Sequence, residues 1–171
     1  MVSVTKLIDL LNKPALVGWA NKLGLKGIDL KDYQSKSKES GNIGHKQVED
    51  YLIKGVKFNG SEKLDKTLKG FNVVGCEVSV DNGFIKGRID LIIEKNNIKY
   101  VCDFKSNKYI YIGTKLQLSA YKHIYNADKI AFINLEDLSL KEIEIDTDYY
   151  FEIIKRLYQI HELLIKTNEK L

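Results

Sequence analysis

The feature that most constrains this chain is a change of hydrophobic period between residues 73 and 105. Val74, Cys76, Val78 and Val80 alternate with Gly75, Glu77 and Ser79, the two-residue repeat of a strand with one face buried. Asp81-Asn82-Gly83 then supplies residues that tolerate a hairpin turn. Phe84 to Ile93 reads as a second strand, Lys95-Asn96-Asn97 as a second turn and Ile98 to Phe104 as a third strand. Strands joined by turns this short run antiparallel, because a parallel pair needs a crossover of a dozen or more residues. The spacing therefore predicts a meander from about Val73 to Lys105. Such a sheet needs other elements to cover it.

The flanking segments change to a helical period. Ser3 or Thr5 is placed to cap a short helix carrying Leu7, Ile8, Leu10 and Leu11. Pro14 suits the first turn of a second helix with Leu16, Val17, Trp19 and Ala20, broken at Gly24 and Gly27, and Trp19 is expected in the core. A third helical stretch runs from about Lys36 to Ile53 with Val48, Tyr51 and Leu52 on its apolar face, although Gly41 and Gly44 weaken it. After the meander, Leu116 to Tyr125 reads as helix, and Lys129 to Leu135 and Leu140 to Ile145 as strands. Asp146 or Thr147 caps a last helix whose core face carries Tyr150, Ile153, Ile154, Leu157, Ile160, Leu163 and Leu164. The order predicts an α/β domain of three layers, a central mixed sheet flanked by helices with an N-terminal helical segment. At 171 residues the chain has the length of one domain, helical over 1–70 and built on the sheet over 71–171.

Composition narrows the function classes. No apolar run approaches a membrane span, and no basic stretch leads into an apolar core at the N-terminus. A cytoplasmic location is expected, the host cytoplasm for a viral chain, with no membrane partner. Cys76 and Cys102 are too few for a disulfide framework or a four-cysteine iron–sulfur cluster, and both are expected as buried thiols. The net charge of +4 permits a polyanionic partner without requiring one.

The chemistry concentrates in Gly87-Arg88-Ile89-Asp90 and Val101-Cys102-Asp103-Phe104-Lys105. Residues two apart on a strand share a face, so Asp103 and Lys105 flank Phe104 on one side of the sheet. A tight turn at Asn96-Asn97 brings Asp90 to the same edge. Carboxylate oxygens suit Mg²⁺ and Mn²⁺, and a nearby ammonium orients water and offsets charge on a phosphate. Such a set on exposed strands is most often a solvated face with a weak surface ion pair. Arg88 shares the face of Asp90, where either a phosphate or a neighbouring acid is a suitable partner.

Two further segments accompany this set in order, Gly41-Asn42-Ile43-Gly44-His45-Lys46-Gln47-Val48-Glu49 before it and Gln117-Leu118-Ser119-Ala120-Tyr121 after it. With Glu77 on the first strand, the series His45, Glu77, Asp90, Asp103, Lys105, Gln117 and Tyr121 resembles the PD-(D/E)XK nuclease superfamily, in particular its RecB-like exonuclease branch. Ser3 to Ile8 and Trp19 are similar, more loosely, to the single-strand DNA exonucleases of that branch. Ile89 stands where the superfamily name has proline, and Asp103 where glutamate is commoner.

The resemblance implies a restriction-endonuclease-like core and metal-dependent hydrolysis of DNA, leaving a 5′-phosphate, in repair or recombination. It implies one or two Mg²⁺ or Mn²⁺ ions held by His45, Asp90, Asp103 and the Phe104 carbonyl, and no iron–sulfur cluster. Asp90, Asp103 and Lys105 are the implied catalytic set, with Glu49, Glu77, Arg88, Gln117 and Tyr121 around it. Lys108 and Lys115, interleaved with Tyr109 and Tyr111, are expected to grip DNA. The expected partner is DNA that is single-stranded or has free ends. The alternatives are a structure-specific or nicking endonuclease and an inactive nuclease fold that binds nucleic acid or protein.

Overall fold

Asn96 and Asn97 both take positive φ, 53° and 62°, which is what a two-residue hairpin turn requires of its central residues. The other turn closes on side chains, the Asn82 Oδ1 accepting from the N–H groups of Phe84 and Ile85 at 3.1 and 3.0 Å. Both turns lie in a computed structural model that describes residues 1–11, 14–106 and 109–168. The meander forms as β2 (Asn72–Asp81), β3 (Ile85–Lys95) and β4 (Ile98–Lys105). Around it lie β1 (Val2–Ser3), α1 (Val4–Ile8), α2 (Pro14–Leu25), α3 (Leu30–Lys54), α4 (Ser61–Thr67), α5 (Ile112–Tyr125), β5 (Lys129–Asn134), β6 (Leu140–Glu142) and α6 (Thr147–Asn168).

The sheet has six strands and is mixed. β3 pairs antiparallel with β2 and β4 and parallel with β1. β4 pairs parallel with β5 across the α5 crossover, and β6 closes the far edge antiparallel to β5. Each face buries its own cluster. Ile89, Ile92, Val101 and Ile130 pack with Leu7 of α1, Leu116 of α5 and Ile154 and Leu157 of α6. Leu91, Ile93, Cys102, Phe104 and Ile133 pack with Val48 of α3 and Leu64 of α4. At roughly 1.5–3 kcal/mol per fully buried aliphatic side chain, these two layers hold the helices on the sheet. The architecture is α/β with a mixed sheet between helices, as predicted.

Several elements depart from expectation. β1 and α4 are additions too short for a period to be read. α3 starts six residues early, because the Asp29 side chain accepts from the Asp32 N–H at 3.0 Å and caps it. Trp19 is half-buried, edge-to-face on Tyr33 at 5.5 Å, rather than in the core. Ile160, Leu163 and Leu164 are exposed although they continue the α6 pattern. At 1.5 Å per residue α6 is about 33 Å long, and its far end outruns α1 and α5. Cys102 is buried and Cys76 half-buried. Among the described residues, no helix is long and apolar enough to cross a membrane.

Candidate metal centre

The edge of β3 that faces β4 is paired at both ends and open between them. β1 occupies it at Ile85 and Lys86, and β4 takes over from Leu91 to Lys95. Lys86 pairs with Asp81 of β2 as well as with Ser3, and Leu91 with Cys76 as well as with Cys102, so β2 lies on the opposite edge throughout. The interval left free is Gly87-Arg88-Ile89-Asp90. Past the Leu91–Cys102 pair the two strands part, and the Asp90 carboxylate bridges the fork, its Oδ2 accepting from the Phe104 N–H at 2.8 Å.

The other end of the interval is filled by α5. A Cβ on Gly87 would lie 2.2 Å from Cε1 of Tyr121, so only glycine lets the ring seat there. The Tyr121 hydroxyl takes the Arg88 backbone N–H and, at 3.5 Å, the amide of Gln117. Gln117 and Tyr121 thereby act on the strand that carries Asp90.

α3 sends His45 into the fork from the opposite face. Gly44 allows this approach, since a Cβ there would press on Leu135 at 3.1 Å. The His45 Nε2 lies 3.0 Å from the Phe104 carbonyl oxygen, and the ring packs edge-to-face on Phe104. A carbonyl only accepts, so Nε2 carries the hydrogen, and in the neutral ring the lone pair is on Nδ1. Nδ1 faces the Asp90 Oδ2 at 3.7 Å. Fixing one ring nitrogen as donor so that the other can ligate is the usual arrangement of a metal-binding histidine.

Glu77 completes the group. The flanking register pairs, Cys76–Leu91 and Val78–Ile89, set it opposite Asp90. Its φ is +55°, the left-handed region, in the middle of a strand. Such a conformation costs on the order of 1–3 kcal/mol. Donor atoms of His45, Glu77 and Asp90 all lie within 4.8 Å of one another.

Asp103 is 4% exposed, and its Oδ2 sits 2.5 Å from the Lys105 Nζ. Burial and then the neighbouring Asp103 charge push the Asp90 carboxyl up to about 8, against the pull of the Phe104 N–H. Burial and the charges of Glu77, Glu49 and Asp90 push the Cys76 thiol up to about 12. Burial raises Cys102 as well, with the Asp103 and Asp90 charges adding to it. The surroundings of the fork are therefore electronegative, and Asp90 holds a proton where a cation would replace it.

Of the expected side-chain ligands, His45 and Asp90 fall in the converging group. Asp103 is not one of its three members; its carboxylate lies beside Asp90 and pairs with Lys105. Glu77, expected around the site, is the third member of the converging group. The Phe104 carbonyl is used by His45 and keeps one further lone pair. Glu49, one turn along α3, pairs with Lys46 at 3.1 Å. Arg88 pairs with Glu77, Nη1 to Oε2 at 3.3 Å. Lys115 lies over the Tyr150 ring at 5.8 Å, Tyr109 and Tyr111 are exposed, and Lys108 lies outside the described residues.

One residue had no sequence signal. Asn134 ends β5, pairs in register with Lys105 and is wholly buried. Its Oδ1 accepts from the Glu136 and Asp137 N–H groups, while its Nδ2 is without a partner among the described residues. Before a turn, an asparagine reads only as a turn residue.

Among the described residues, the donors of His45, Glu77 and Asp90 converge closely enough that they could hold a metal ion. Two carboxylates and one imidazole converge, with Asp103 beside them, and oxygen donors suit Mg²⁺ and Mn²⁺ while imidazole tilts the preference towards Mn²⁺.

No protein-family model matches the chain, and no curated protein matches it. Among solved structures it is similar to a crystal structure of SSO0001, at 23% identity over 93% of this chain and 75% of that one, with a TM-score of 0.47.

Proposed function

We propose that this chain is a metal-dependent DNA nuclease with a restriction-endonuclease-like core, hydrolysing phosphodiester bonds by preference at single-stranded ends. The observation that carries the reading is the convergence of His45, Glu77 and Asp90 at the fork, with Asp103 and Lys105 directly beside it. His45, Glu77 and Asp90 would hold one Mg²⁺ or Mn²⁺, with Asp103 positioned to share a second. When bound, such an ion lowers the pKa of a water and stabilises negative charge on a phosphate. The Lys105 ammonium, anchored by Asp103, donates to the attacking water or to a phosphate oxygen. Gln117 and Tyr121 hold β3 in place. The preference for single-stranded ends follows from the order of motifs that resembles the RecB-like branch.

The test uses end-labelled linear and closed circular single-stranded DNA, each with Mg²⁺, Mn²⁺ or EDTA, and a Lys105→Ala control. Loss of the linear strand alone, requiring metal and Lys105, is expected. Cutting of the circle would replace the exonuclease with an endonuclease. Binding without cleavage of either substrate would refute the nuclease.

A further inference from the structure

We propose that Arg88 couples occupancy of the metal centre to occupancy by DNA, serving as counter-ion to Glu77 in the free protein and as phosphate ligand in the complex. This deepens the nuclease reading and rests on it for the identity of the polyanion. Glu77 is one of the three converging ligands, and its carboxylate is also held by the Arg88 guanidinium. A carboxylate committed to a guanidinium is a poorer ligand for a cation. The two functions of Glu77 therefore compete.

The pair is built so that the arginine yields. The Arg88 side chain is 66% exposed and that of Glu77 is 24% exposed. Among the described residues, the hydrogen bond to Glu77 through Nη1 is the contact the Arg88 side chain makes. A guanidinium has five donors in a planar fork matched to phosphate oxygens, so most of its capacity is open to solvent. The Glu77 side chain is the more enclosed of the two, on a backbone that holds a left-handed φ of 55° in the strand. Arg88 also stands two residues from Asp90 on the same strand, about 7 Å away at 3.3 Å per residue. A DNA strand whose scissile phosphate reached the fork would bring another backbone phosphate to the guanidinium. The guanidinium then turns to the phosphate, and the Glu77 carboxylate is left to the cation. An exposed pair of this kind is weak, worth a factor of about two to five in an equilibrium constant. The step is accordingly a modest bias towards metal uptake on substrate.

The experiment is a double-mutant cycle read by calorimetry with Mn²⁺ alone, in the absence of DNA, on wild type, Arg88→Ala, Glu77→Gln and the double variant. Arg88→Ala is expected to bind Mn²⁺ about two- to fivefold more tightly, and Glu77→Gln more weakly. Arg88→Ala is expected to add nothing in the Glu77→Gln background. Arg88→Lys, which keeps the charge, should return the affinity towards wild type. Repeating the titration with a short single-stranded phosphorothioate oligonucleotide should raise Mn²⁺ affinity more in wild type than in Arg88→Ala, by the same factor. Unchanged or weaker Mn²⁺ binding by Arg88→Ala, or an equal gain in both backgrounds, would overturn the coupling. That result would leave the nuclease intact, whereas wild type that binds Mn²⁺ with the expected cycle but cleaves no DNA would overturn the nuclease alone.

Discussion

Replacing Asp90 with asparagine tests the electrostatics of the fork. Burial and Asp103 raise the Asp90 carboxyl from its ordinary 3.8 to about 8. The folded value lies above the unfolded one, so its stabilising contribution is complete below about pH 4. It is lost as pH rises towards 8, because the unfolded chain releases the proton and the folded chain keeps it. Four pH units at about 1.4 kcal/mol each set a ceiling near 6 kcal/mol. The Asp90 side chain retains 14% exposure, and relaxation with water entry brings the expected effect to roughly 2–4 kcal/mol. The amide introduced by Asp90→Asn does not titrate, and its oxygen can still accept from the Phe104 N–H. Urea unfolding in EDTA should therefore find the variant more stable than wild type at pH 8, by about 2–4 kcal/mol, with the gap closing by pH 4. Mn²⁺ at about 1,000 times its Kd should invert the order, because it adds about 4.1 kcal/mol to the form that binds it. A variant less stable than wild type at pH 8 in EDTA would refute the reasoning, as would a difference independent of pH.

Mn²⁺ affinity should rise up to tenfold per pH unit below about 8 if one proton leaves Asp90 on binding, then level off, and calorimetry in buffers of different ionisation enthalpy would count that proton. Gly87→Ala places a Cβ against the Tyr121 ring and should lower stability by about 1–3 kcal/mol in urea unfolding, with part of the loss recovered in a Tyr121→Ala background. Glu77→Gly should relieve the left-handed backbone and raise stability by roughly 1 kcal/mol while weakening Mn²⁺ binding; a loss of stability would show that the kink is not strained.

What the sequence discloses about this fold depends on how local the cause is. Asn96 and Asn97 take the φ values their turn demands, and the meander follows from two residues and a period. The order of acids along β3 and β4 is equally local, since alternation alone puts Asp103 and Lys105 on one face. The ligating role proposed for Glu77 is not local. It depends on a single residue leaving the extended region inside a strand, and glutamate carries no preference for doing so. Asp103 stands beside the converging group and pairs with Lys105, and the spacing that predicts shared ligation predicts that pair equally well.

The placement of the centre has a topological cause as well. A strand paired along both edges has no room for a side chain to replace a backbone partner. β3 is unpaired on one edge only where β1 has ended and β4 has not begun, and that interval is Gly87 to Asp90. The glycine at one end admits Tyr121, and the aspartate at the other end takes over the Phe104 N–H. His45 reaches the same gap because α3 lies close to the sheet at Gly44. Lengthening β1 or β4 to close the ladder would remove the fork without changing any ligand. The two-residue β1 is therefore as much a part of the centre as the acids, and its shortness keeps the edge of β3 open at Asp90.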